Sequence, residues 1–97
     1  MSDNKKNVDG LEFEVNEDFT QSWEAFTMIR KFNSDDLSVY DKLDLSFQLI
    51  ELATGIKQEE IVQHCGGDKA PAVDVINFAA RIVVAIAPKN SQDSQLS

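Results

Sequence analysis

The sequence predicts an all-α protein, a small bundle of about four helices preceded by a short extended N-terminal segment. Three observations carry that prediction. Apolar residues recur every three or four positions through most of residues 17–87, the period of helices with one buried face. Ser, Asn and Asp caps and Gly or Pro breaks divide that stretch into short-looped segments, as bundles prefer. Only residues 11–15 alternate with a period of two.

Residues 1–10 read as a flexible polar lead. In LEFEV, Leu11, Phe13 and Val15 alternate with Glu12 and Glu14, the pattern of a strand. A lone strand is not stable, so this segment is expected to pair with another chain, pack as an extended arm or stay loosely ordered. The first helix is expected over NEDFTQSWEAFTMIRKF, capped by Asn16 or Asp18 and acidic at its start. Trp23, Phe26, Ile29 and Phe32 are its expected core stripe. Asn33-Ser34-Asp35-Asp36 is turn chemistry.

SVYDKLDLSFQLIELATG gives the second helix, with Leu43, Phe47 and Ile50 as one stripe and Gly55 ending it. IKQEEIVQHCGG gives a shorter third, with Ile61, Val62 and Cys65 inward and Gly66-Gly67 after it. Pro71 suits the first position of the last helix and Pro88 stops it. Residues 11–88 are thus expected to form a single helical domain, and residues 89–97, rich in Ser, Gln and Asn, a disordered tail.

Charge excludes several functions. The 97 residues carry a net charge of −8, with the nine basic residues scattered. Binding to nucleic acid through phosphates needs clustered Lys and Arg, and an anionic membrane surface would repel this chain. One cysteine allows no intrachain disulfide, which suits an intracellular protein. The polar opening MSDNKKNVDG has no apolar core of a signal peptide. No stretch is long and uninterrupted enough to span a bilayer.

Catalytic chemistry is not visible. His64 and Cys65 are adjacent, and neighbours on a helix point about 100° apart, so they do not form a thiolate–imidazole pair. One His and one Cys are too few for a zinc site. Asp35, Asp36, Asp41 and Asp44 lack the spacing of a calcium loop and suit caps and a solvated face. Gly66-Gly67 follows a helix, unlike a phosphate loop. No enzyme activity, cofactor or metal is expected.

The last helix poses the main question. AVDVINFAARIVVAIA, residues 72–87, contains only three polar residues, Asp74, Asn77 and Arg81, within an arc of about 60°. Val75, Phe78, Ala79, Ile82 and Ile86 form a bulky core face. Val73, Ile76, Ala80, Val83, Val84 and Ala87 form a second apolar face of smaller residues. Either the other three helices wrap this one, or the second face stays open and binds protein. Together with Leu11, Phe13 and Val15 of the extended segment, those six residues are the expected partner-binding set.

DGLEFEVNEDFTQSWEAF (residues 9–26) and LSFQLIELATGIKQEEIVQH (residues 45–64) resemble the tail assembly chaperones of long-tailed phages. These are small acidic proteins with a short extended segment, a helix with an aromatic and acidic start, and a Leu-rich helix ending in Gly. The last helix is less charged here than in those members. The resemblance implies a non-enzymatic chaperone that binds the tape measure protein and keeps it soluble until tail-tube subunits assemble around it. It also implies homo-oligomers, action in the host cytoplasm and absence from the mature virion. A longer frameshifted form, with slippage near Pro88-Lys89-Asn90, is a further implication. The competing expectation is an acidic regulator or inhibitor that binds a basic protein by mimicking charge. It is motivated by the acidic residues near 9–18, 35–44 and 59–60.

Overall fold

The chain turns back on itself before its first helix. In the computed structural model, which describes residues 5–87, Lys5–Val8 (β1) and Leu11–Glu14 (β2) form an antiparallel hairpin around Asp9-Gly10. Both turn residues have positive φ, 52° and 94°. That geometry matches the right-handed twist of the flanking strands. The Asn7 side-chain oxygen accepts from the Gly10 N–H at 3.0 Å and closes the turn.

The extended segment therefore finds its partner within the chain. Residues 5–10, expected in a flexible lead, supply the sheet's other strand and its turn. The strand KKNV has one apolar residue and no alternation, so periodicity alone hides it. Val8 pairs with Leu11 beside the turn, and both pack against the core.

Five helices follow: Glu17–Thr20 (α1), Trp23–Phe32 (α2), Val39–Thr54 (α3), Gln58–His64 (α4) and Ala72–Ile86 (α5). A 3-10 turn, Gly67–Lys69, joins the last two. The expected first helix is two helices, broken at Ser22. The Ser22 hydroxyl donates to the Phe19 carbonyl at 2.6 Å and accepts from the Ala25 N–H at 3.1 Å. One side chain thus closes α1 and caps α2. Asn16 caps α1, and its backbone N–H donates to the Ala53 carbonyl at 2.7 Å, tying the hairpin's exit to the end of α3. Gly55 ends α3 in the left-handed conformation, φ 83°, where a side chain would be strained. Pro71 occupies the cap of α5, one place before its expected position. Residues 1–4, Pro88 and the expected tail 89–97 lie outside the described residues.

The core lies where α5 packs on α3, with α2 on the flank of α3 and α4 on the flank of α5. Leu49, Ile50 and Ala53 of α3, Ile61 of α4 and Ala79 and Ile82 of α5 are fully buried. Ser46 is buried among them, and its hydroxyl donates to the Lys42 carbonyl at 2.8 Å. No buried side-chain polar atom among the described residues lacks a partner.

The stripe expected on α2 does not exist as a core face. Steps of three residues fall short of a full turn and drift by about 60° each, so Trp23, Phe26, Ile29 and Phe32 wind from solvent to core. Ile29 is buried and Phe32 half-buried, but Phe26 is 42% exposed and Trp23 73% exposed. The inward face is Ala25, Met28, Ile29 and Phe32. Because Ser22 serves two helices, Ser22→Ala should destabilise the fold by about 1 kcal/mol. A lowered urea midpoint with an unchanged slope would register that loss.

Candidate protein-binding face of the last helix

At about 100° per residue, α5 divides into three arcs. Val75, Phe78, Ala79, Ile82, Val83 and Ile86 are all buried. The bulky face is thus the core face, as expected, and Val83 joins it. Val83 is only 2% exposed because it stands at the margin of that arc, about 20° from Ile76. It was expected on the free face, and the structure removes it from there.

The second arc is open. Val73 is 58% exposed and Val84 63% exposed, with Ile76, Ala80 and Ala87 half-buried between and beyond them. These five residues follow a 3-4-4-3 spacing, close to the helical period of 3.6, and form a strip along one side of the helix. Strand β1 runs beside it: Asn7, Val8 and Asp9 border a shallow apolar depression with Ala80, Arg81, Val84 and Ala85. The helix is therefore neither wrapped on all sides nor bare on a whole second face.

The extended segment contributes less than expected. Phe13 and Val15 are buried in the core, and Leu11 is half-buried against it. The physical reason is the hairpin. Pairing with β1 fixes which face of β2 meets the helices, and Phe13 falls on that face. The expected partner-binding residues thus separate into an accessible strip, a half-covered Leu11, and three core residues, Phe13, Val15 and Val83.

The third arc, Asp74, Asn77 and Arg81, faces the hairpin turn and the end of α4. The Arg81 guanidinium pairs with the Asp9 carboxylate. The His64 Nε2–H donates to the Asp9 carbonyl at 2.9 Å, and the His64 ring stacks on Phe78 with centroids 4.9 Å apart. These four residues, with Asp74, Asn77 and Cys65, line one small open cleft. Burial pushes the Cys65 thiol above its ordinary range; Asp74 pushes the same way, Arg81 opposes it, and Asp9 adds to the rise. A thiol held in its neutral form is a poor nucleophile. Among the described residues, no group of three or more His, Cys, Asp or Glu side chains is placed to hold a metal ion. No helix among them is long and apolar enough to cross a membrane.

No protein-family model, curated protein or solved structure matches the chain.

The cleft generates a directional test. Alkylation of Cys65 by iodoacetamide at mildly alkaline pH should be slower than that of a free thiol, because less of it is thiolate. Asp74→Asn should speed the reaction and Arg81→Gln should slow it. Rates unchanged in both variants would contradict this electrostatic account. The ion pair itself is half-exposed, so Arg81→Ala should cost less than about 1 kcal/mol in denaturant unfolding.

Proposed function

We propose that this chain is a non-enzymatic phage tail assembly chaperone that holds the tape measure protein through the open apolar strip of α5. One observation carries the proposal: Val73 and Val84 stand exposed on an otherwise core-forming helix. Water contact with that strip is unfavourable, and a second helix with an apolar stripe removes it. Burying what remains exposed of Val73, Ile76 and Val84 would contribute at most roughly 1.5–3 kcal/mol each before the costs of association. The Ala residues between them allow close approach, and a strip running along one helix face suits a helical client.

Little in such a strip discriminates one aliphatic sequence from another. That suits a client presenting many similar segments, along which several copies gain avidity. The same strip on a second copy is the expected contact when client is absent, giving homo-oligomers. The net charge of −8 keeps copies with an open strip from precipitating. Such a chaperone acts in the host cytoplasm and leaves before the virion is complete.

The deciding experiment is co-expression with the tape measure protein of the same genome, followed by purification at high salt. Salt-resistant co-purification is expected, since apolar burial survives screening. Association lost at high salt would favour the acidic-regulator reading. Val73→Asp and Val84→Asp should abolish co-purification while changing stability by less than about 1 kcal/mol. Val83→Asp places a charge in the core and should unfold the domain instead. Co-purification unaffected by the first two substitutions would overturn the assignment of the surface.

A further inference from the structure

The side of α2 opposite its core face carries an exposed aromatic pair, Trp23 and Phe26. The rings of Trp23 and Phe26 lie 5.2 Å apart at 32°, and the Arg30 guanidinium sits over Phe26 at 5.8 Å. Trp23, Phe26, Thr27 and Arg30 share an arc of about 100° pointing away from Ala25 and Phe32. The mutual contacts hold these side chains in place before any partner arrives, which lowers the entropy lost on binding. Exposed tryptophan with arginine is the composition of an interface anchor.

Charge selects what would cover it. Helix α1 packs on α2 and opens with Glu17 and Asp18. With Glu14 and Glu51 they line an open cleft that also holds exposed Leu52 and no basic side chain. Glu24 follows Trp23 directly. The basic residues of α2, Arg30 and Lys31, stand at its far end. A second copy docked here through the same face would set its own Glu17, Asp18 and Glu24 against these carboxylates.

We propose that the Trp23–Phe26 face docks a basic amphipathic helix of another protein. Its aliphatic residues cover the two rings, and its Lys and Arg point to the Trp23 end of α2, where the carboxylates gather. This surface is separate from the strip of α5 and does not depend on the chaperone reading.

Trp23 is the chain's single tryptophan, so its emission reports the site directly. The probe is a short synthetic helical peptide of Leu and Lys, with a Leu and Glu peptide of the same pattern as its control. The Leu/Lys peptide should shift Trp23 emission to the blue in a saturable way, and the Leu/Glu peptide should not. Phe26→Ala, and Glu17→Gln with Asp18→Asn, should each weaken binding about tenfold. Asp35→Asn with Asp36→Asn makes the same charge change elsewhere and should leave it unchanged. Circular dichroism confirms that each variant keeps its helices; Phe26 is exposed, so its replacement tests the site even if the α1 variant unfolds.

No shift, an equal shift with both peptides, or equal weakening by the Asp35/Asp36 pair would overturn the proposal. So would blue-shifted emission without peptide. That result would mean the chain covers its own rings if independent of concentration, or a second copy does if not.

Discussion

The packing of α5 on α3 is the constraint from which the rest of the structure follows. Both helices send deeply buried residues into one core: Leu49, Ile50 and Ala53 from α3, Ala79, Ile82 and Val83 from α5. A chain of this length closes one core and no more. Helix α5 is apolar over more of its circumference than one core can cover. What is left over is the strip of Val73, Ile76, Ala80, Val84 and Ala87, flanked by the hairpin but not sealed by it. The proposed function is a consequence of that mismatch between the apolar surface of a helix and the partners available within the chain.

The hairpin sets the remaining boundary. Two strands alone are marginally stable, so this sheet depends on what it touches. Phe13 and Val15 sink into the core, and Asn16 bonds the end of α3. Asp9 joins the turn to α4 through its carbonyl and to α5 through its carboxylate. Arg81 of α5 thus has a structural task. It holds the hairpin turn through Asp9, while Val73 and Val84 stand exposed on the apolar strip.

Much of this was legible in the sequence, and the failures have physical causes. Helices α3, α4 and α5 fall close to where caps and glycines placed them, and the bulky face of α5 is the core face. Trp23 and Phe26 were misplaced because a run of three-residue steps looks like a stripe while rotating about 60° each time. Val83 was misplaced because it sits at a margin, where about 20° of rotation separates core from solvent and neighbouring helices decide the outcome. Strand β1 was missed because its pairing is dictated by Asp9-Gly10, a turn signal, and not by hydrophobic alternation in KKNV. The hub at Asp9 brings together residues 55 and 72 positions apart, a juxtaposition that no local pattern encodes.

The central claim is that α5 holds two apolar faces with opposite fates. Solvent paramagnetic relaxation of its valine and isoleucine methyls tests it most directly, using an inert paramagnetic agent and dilute protein without client. Strong relaxation at Val73 and Val84 beside protected Val83, Ile82 and Ile86 is the predicted result. Equal protection of all five residues would mean that the strip is covered within the chain, and would contradict the account.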